Sequence, residues 1–225
     1  TIRRAEDQAW NLYVKKVRRF PSSGTDYSDS FFIREVDSPA EAKLYLGLFP
    51  SGIGQKTAMI RTMSSLLTNM ADVRAEGKYP LQDWDEYWTI VAYFNAIKDL
   101  GNAKTTFEDD VQNRVGTIRN LRIEELTGRK DSKELPEILE KMSIKGDHKN
   151  AIDIVACSNM FSVGVDVSRL GLMVMNNQPK NTSEYIQSTG RVGRNRTGLV
   201  VVLFNWSRPR DQSHFERFYD YHNRI

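Results

Sequence analysis

Short, almost unbroken apolar runs punctuate the second half of the chain, at 88–94, 152–157, 172–176 and 199–204, and polar or glycine-bearing turns separate them. Runs of that length, rich in Val, Ile, Leu and Met and without a polar face, are what parallel strands need when helices cover both sides. Amphipathic stretches fill the gaps, so the pattern predicts an α/β domain of three layers around a mostly parallel sheet. A weaker strand is read at 125–127. It leads to a loop and a capped helix over 132–142 that sets Leu135, Ile138, Leu139 and Met142 on one face, best explained by core packing.

The first 85 residues are patterned differently. Trp10, Tyr13, Val14 and Val17 recur at helical spacing within 5–20, Pro21 to Asp26 breaks the chain, and 31–36 reads as a strand. Residues 56–74 predict a helix with Met59, Ile60, Met63, Leu66, Leu67 and Met70 along one side, a stripe that suits core or inter-domain packing better than a ligand groove. The expected division is a mainly helical N-terminal segment over 1–85, linking motor domains or adding a module, and a sheet domain over 86–225 that ends in a helix.

Two turns in the sheet domain carry the candidate chemistry. Ser158 and Asn159 follow one apolar run, and Gly164 and Asp166 follow a short helical stretch after them. Further on, Gln187-Ser188-Thr189-Gly190-Arg191-Val192-Gly193-Arg194 sets two guanidinium groups three residues apart beside two glycines. A helix capped at Thr182-Ser183 and running through Gln187 would align Gln187, Arg191 and Arg194 at i, i+4 and i+7. Gly190 and Gly193 suit a helix end or a close backbone approach. The planar, permanently charged fork of Arg grips phosphate oxygens in two places. Those eight residues alone fit a phosphate sensor and an exposed basic helix end equally well. All these groups follow strand ends, where open α/β sheets collect ligands.

Together, Cys157-Ser158-Asn159 with Gly164-Val165-Asp166, and Gln187 through Arg194, resemble motifs V and VI of superfamily 2 helicases, in the second of their two RecA-like domains. The resemblance implies that Ser158, with Asn159, touches nucleic-acid backbone and that Gly164 and Asp166 meet the nucleotide, Asp166 at the ribose side. It implies that Gln187 couples nucleotide to nucleic acid and that Arg191 and Arg194 sense its phosphates, Arg194 as the arginine finger. Motif IV would lie around 88–99, and Thr127-Gly128 match a nucleic-acid-contacting loop. Ser188 stands where the DEAD-box version has Arg, and Val163 where an Arg often precedes the motif V glycine, which disfavours a DEAD-box RNA helicase. The wording of 158–166, 177–187 and 204–211 is similar to the helicase subunit of bacterial DISARM anti-phage systems, over roughly 88–220. The implied role is the second motor domain of an ATP-dependent DNA helicase or translocase. Its partners would be DNA, single-stranded or duplex, with RNA as the alternative, the missing first motor domain, and other defence-system subunits. A non-catalytic nucleic-acid-binding or assembly module on the same fold is the competing reading.

A helicase motor also needs a P-loop lysine and a Walker B acid, normally on the first RecA-like domain. ATP and Mg2+ are therefore expected to be held mainly by that missing domain, and this chain alone is not expected to hydrolyse ATP. In Gly52-Ile53-Gly54-Gln55-Lys56-Thr57, Gln55 intervenes where glycine must precede lysine and no apolar strand leads in, so a turn opening a helix is the reading. A P-loop kinase or GTPase built on Lys56-Thr57 is the remaining option. Asp85-Glu86 mimics a Walker B pair, but Pro80 to Trp84 precede it, and a solvated cap before a strand starting at Trp88 is expected. The lack of an initiating Met and the helix-like ends fit a piece of a larger protein.

Composition changes the picture little. The 225 residues are 40% hydrophobic, enough for a substantial core, and 32 basic against 29 acidic residues leave +3, which says little about partners. Lys180 to Arg217 is more basic, seven cations to three carboxylates, with aromatics interleaved; outside the two motif arginines a solvated helix with core aromatics explains it. One cysteine excludes an internal disulfide within the chain, and Cys157 reads as a small buried hydrophobe. Three unpaired histidines give no metal-ligand spacing, so no metal site is expected. No run is apolar enough for a membrane span or signal peptide, and a cytoplasmic protein is expected.

Overall fold

The structure, a computed structural model, describes residues 4–20, 31–32, 42–128, 133–164 and 166–224, with side chains at all of these except 163 and 164. Positions 33–36 of the strand read at 31–36, and the cap at 132, lie outside them. The chain forms two compact units, Thr1–Pro39 and Ala40–Ile225. In the first, helix α1 (Ala5–Tyr13) is shorter than the pattern suggested: Val14 enters the left-handed region (φ 51) and buries none of its apolar neighbours.

Six strands build the second unit: β1 (Lys43–Leu48), β2 (Ile90–Phe94), β3 (Ile123–Leu126), β4 (Ile154–Cys157), β5 (Leu172–Asn176) and β6 (Gly198–Leu203). They pair in the order β1-β6-β5-β2-β4-β3, and every pairing is parallel. Residues 43–85, set apart from the sheet domain by the sequence pattern, belong to this unit. β1 is its edge strand, and α2 (Gln55–Glu76) and α3 (Leu81–Trp88) pack on it. A strand thus does lead into the Gly52–Thr57 turn. The turn still opens a helix at Gln55, and Lys56 is engaged by Asp110 at 2.7 Å.

Side chains of successive strand residues point to opposite faces, and in the central strands β2, β4 and β5 both faces are dry. Val91, Tyr93, Val155, Cys157, Met173, Met175, Val200 and Val202 meet α6 (Leu135–Met142), α7 (Met160–Gly164), α8 (Thr182–Thr189) and the helix Phe218–His222. Ile90, Ala92, Phe94, Ile154, Ala156, Leu172, Val174 and Val201 meet α2 and α4 (Ile97–Thr106). A π turn (Phe107–Val111) carries α4 into α5 (Gln112–Val115) on the same face. Of the Met-rich stripe on α2, Met59, Met63 and Leu67 are buried there, the packing role expected of it. Cys157 is fully buried, and burial pushes its thiol well above the ordinary range, so it stays a neutral hydrophobe.

Asp85 and Glu86 are buried rather than a solvated cap, and Trp88 ends a helix instead of opening the strand, which starts at Ile90. Leu81, Trp84 and Trp88 recur at helical spacing, and that stripe packs α3 against Met70, Val73, Ile144 and Ala151. One turn after Leu81, at the edge of the same face, α3 carries Asp85 inward to a buried guanidinium: Arg169 Nη2 lies 3.1 Å from its Oδ1. The same Arg169 donates to Thr89 Oγ1 at 3.0 Å and to the Met142 carbonyl at 2.9 Å. Asp85 Oδ1 also accepts the Gly146 N–H at 2.6 Å. A second buried pair, Arg119 and Asp153 at 2.5 Å, fastens the entries of β3 and β4, and Arg119 reaches the Trp88 carbonyl at 2.9 Å. Such pairs strain the core when one partner is lost, because the survivor keeps its desolvation cost. Burial also pushes the Glu86 carboxyl up.

At the carboxyl end of the chain, His222 Nδ1 donates to the Phe218 carbonyl at 2.7 Å, which leaves Nε2 to accept from the Tyr185 hydroxyl at 2.8 Å. Burial pushes the His222 pKa down. The folded state therefore resists its protonation, and the stability this provides is complete above the unfolded value of about 6.5 and is lost as pH falls below it.

Asp85→Ala is expected to lower the unfolding free energy by about 3–5 kcal/mol, read from urea denaturation, because Arg169 is left buried without its counter-charge. Between pH 6.5 and 5, the denaturation midpoint of His222→Gln is expected to fall less than that of the parent protein. Parallel pH profiles would exclude His222 as the titrating group.

Candidate functional site

Parallel strands divide the expected site residues between the two edges of the sheet. Thr127, Ser158 and Asn159 follow β3 and β4 at the carboxyl edge. Arg191 and Arg194 do not: α8 carries the chain back about 12 Å, so that β6 can start parallel to β5, and both arginines lie in the turn before β6 at the amino edge. Asp166 lies there too, because α7 returns the chain from Ser158 toward the start of β5. The length of β5, roughly 16 Å, separates the two groups.

The helix before the arginine turn ends sooner than its sequence suggests. α8 begins at Thr182, its N-cap is Asn181 with no side-chain cap bond, and it stops at Thr189. Gln187 is exposed on it, and Arg191 and Arg194 stand beyond it, so the three do not share a helical face. Gly193 takes φ +66, and a Cβ there would stand 2.4 Å from Gly198 Cα: the turn closes by pressing two glycines together. Gly193 N donates to the Leu170 carbonyl at 2.7 Å, which pins the turn to the entry of β5.

The two arginines reach the 158–166 segment from this turn. Arg191 Nη2 donates to the Ser162 carbonyl at 2.6 Å. Arg194 Nη1 pairs with Asp166 Oδ1, in a contact whose carboxylate side chain is 81% exposed and whose guanidinium is 33% exposed. The pair thus faces solvent on the carboxylate side. Lys43, at the start of β1, completes a cationic group: its Nζ donates to the Thr189 carbonyl at 2.7 Å, and burial followed by the nearby Arg194 charge pushes its pKa down. Nothing in the sequence around Lys43 announces this, because it is a lone lysine 151 positions before Arg194 and only the β1–β6 pairing brings them close. Ser188 is fully buried and donates to the Glu184 carbonyl at 2.7 Å, so the position filled by Arg in DEAD-box proteins has no outlet here.

At the carboxyl edge the expected hydroxyls turn inward. Thr127 is fully buried and donates to Glu125 Oε1 at 2.8 Å; Ser158 is 2% exposed and lies 3.4 Å from Asn159 Oδ1. Gly128 and Asn159 are exposed, and Met160 flanks Gly128, so the loops after β3 and β4 form one surface. Gly164 closes α7 between the two edges. A third feature went unread in the sequence: Gln55 Nε2 donates to Asn176 Oδ1 at 3.0 Å and to Asn177 Oδ1 at 3.3 Å, beside a 330 Å³ cavity at the ends of β2, β5 and β6. Amides scattered over 120 positions give no local signal. No helix among the described residues is long and apolar enough to cross a membrane.

Residues 90–196 match the helicase conserved C-terminal domain, and the chain is similar there to helicases, with the RecA-like fold of their C-terminal domain. It is 40% identical to the DISARM protein DrmA of Bacillus paralicheniformis across its whole length, and 26% identical over 134 residues to the Druantia protein DruE of Escherichia coli. The chain spans 21% of DrmA and 7% of DruE. Among solved structures, the DUF1998 helicase MrfA bound to DNA and AMPPNP superposes with a TM-score of 0.63 at 20% identity, over 85% of this chain and 24% of that one. Saccharomyces cerevisiae Dbp5, bound to RNA and ADP BeF3, superposes with a TM-score of 0.55 at 11% identity, over 83% and 40%. At these identities the likeness is one of fold.

Gly193→Ala is expected to lower the unfolding free energy by about 2 kcal/mol or more, combining a left-handed backbone with overlap against Gly198. Gly52→Ala, also at positive φ but with open space around it, serves as comparator and should cost about 1–2 kcal/mol. Equal losses at the two positions would show that the close approach in the arginine turn is dispensable.

Proposed function

We propose that this chain is the second motor domain of an ATP-dependent DNA helicase or translocase, with Arg194 as arginine finger, Arg191 as its partner and Gln187 coupling nucleotide to nucleic acid. The observation that carries the reading is the tie between the arginine turn and the 158–166 segment: one arginine on the Ser162 carbonyl, the other on exposed Asp166. The cation set of Lys43, Arg191 and Arg194, opposed by one solvated carboxylate, suits the charge of a triphosphate end. When bound, ATP supplies the phosphoryl bond whose cleavage drives movement, and Mg2+ neutralises charge on it. The missing first motor domain would hold most of both.

Arg194 exchanges Asp166 for a phosphate oxygen as the two motor domains close, stabilising charge that develops there. Asp166, released, is free to turn to the ribose, and Gly164 leaves room for the nucleotide beside it. Because 158–166 runs from one sheet edge to the other, repositioning Asp166 pulls on Ser158 and Asn159 at the far end. With both hydroxyls turned inward, backbone contact with DNA falls to Gly128, Asn159 and the peptide groups around Thr127 and Ser158. The reading takes DNA rather than RNA as the track and sets the protein in the cytoplasm beside other DISARM subunits; the likeness in fold to DNA-bound MrfA supports the first and the likeness to the DISARM protein DrmA the last.

In the full-length protein, Arg194→Ala is expected to cut DNA-stimulated ATP turnover by about two to four orders of magnitude, at or just below the range of arginine fingers, with an unchanged melting midpoint. Turnover at the parent rate, measured by steady-state phosphate release, would eliminate the finger assignment.

A further inference from the structure

A 420 Å³ cavity opens at the amino edge of β3 and β4, where the last turn of α2, Trp88 and the segments around 118–122 and 148–153 meet. None of the motif residues lines it. Its floor is Arg119, 5% exposed, whose Nε is held by Asp153 and whose Nη atoms each make one bond, to the Leu67 and Trp88 carbonyls. A guanidinium carries five N–H groups, so two of them are left for a ligand. The guanidinium carbon also stands over the Trp88 ring, 3.5 Å from its centroid. Trp88 itself is buried, and its Nε1–H has no partner among the described residues.

The rim is cationic. Arg74 is clamped by the carbonyls of Gly146 and Asp147 at 3.2 and 3.0 Å and stands 5.0 Å from the same indole. Arg122 and Lys149 are exposed, and neither has an ion pair among the described residues. Asp153, the sole carboxylate lining the cavity, is already occupied by Arg119 Nε and by the Arg122 N–H at 2.6 Å. Four cations around one engaged carboxylate leave a strong positive potential in a concave, partly dry place, the condition under which guanidinium forks hold phosphate oxygens.

We infer that this pocket binds a phosphate group, and that the phosphate belongs to a nucleic-acid backbone that also contacts the domain away from the motif V and VI residues. The planar forks and the shallow, open shape suit a phosphodiester passing across the rim, with Arg119 beneath it. The inference does not depend on the arginine-finger assignment.

The test uses the full-length protein with Arg122→Glu and Lys149→Glu combined. Both positions are exposed, so the melting midpoint should hold, and Arg122→Gln with Lys149→Gln provides a milder version. Fluorescence anisotropy with single-stranded and duplex oligonucleotides should show a dependence of log K on log salt that is shallower by about 1 to 2 units, and affinity weaker by roughly tenfold near 0.1 M salt. Arg61→Glu, at an exposed cation in the second turn of α2, should change neither. Inorganic phosphate should raise the melting midpoint of the parent and not of the double variant. Loss of the phosphate effect with oligonucleotide binding intact would uphold the phosphate site and assign it to a small anion. Intact phosphate and oligonucleotide responses, or an equal effect of Arg61→Glu, would overturn the inference.

Discussion

With six strands pointing one way, every connection must carry the chain from the carboxyl edge of the sheet back to the amino edge. That single constraint decides where the chemistry lies. Residues that leave a strand directly, such as Ser158, Asn159 and Gly128, stay at one edge. Those that follow a returning helix, Asp166, Arg191 and Arg194, arrive at the other. Two candidate surfaces arise from one stretch of about forty residues, and the 158–166 segment joins them because it makes the return trip itself. A domain with an antiparallel hairpin at this place would have gathered all five side chains at one end and lost the lever between them.

The amino edge is held by charge buried where water cannot screen it. Arg169 with Asp85 and Arg119 with Asp153 each satisfy backbone carbonyls as well as each other, and they knit α3, the α6 terminus and the starts of β2, β3 and β4 into one rigid rim. Rigidity there is useful because Arg169 stands three residues after Asp166 in sequence: the anchored guanidinium fixes the base of a loop whose tip carries a solvated carboxylate. The tip is left to exchange partners, while its base stays still.

Much of this was legible in the sequence, and the failures have physical reasons. β2, β4, β5 and β6 were readable because strands buried on both faces are apolar throughout. β1 was not, since this edge strand fully buries none of its residues, and Leu44 and Leu46 remain exposed. Helix α3 was hidden by Asp85 and Glu86, polar residues whose burial makes sense only once Arg169 is placed opposite, 84 positions away. The arginine turn was recognised by residue type and spacing, yet its assumed helical face was wrong: Gly190 and Gly193 end the helix and redirect the chain. The edge at which each group lies was misjudged because Asp166, Arg191 and Arg194 come after a returning helix and before the next strand, rather than directly after a strand end.

Gly47 lies on β1 under the last helix of the chain, where a Cβ would come within 2.8 Å of the Phe218 ring and 3.2 Å of Phe204. The missing side chain lets that helix lie flush on the sheet, and the ring fills the hollow a methyl group would have taken. The outermost strand is thereby gripped from above by the final turns of the polypeptide as well as along its flank by β6. The first and last parts of this unit are locked to one another, and Lys43, two turns of pleat away on the same strand, inherits its fixed position beside the arginine turn from a contact made at the opposite end of the sequence.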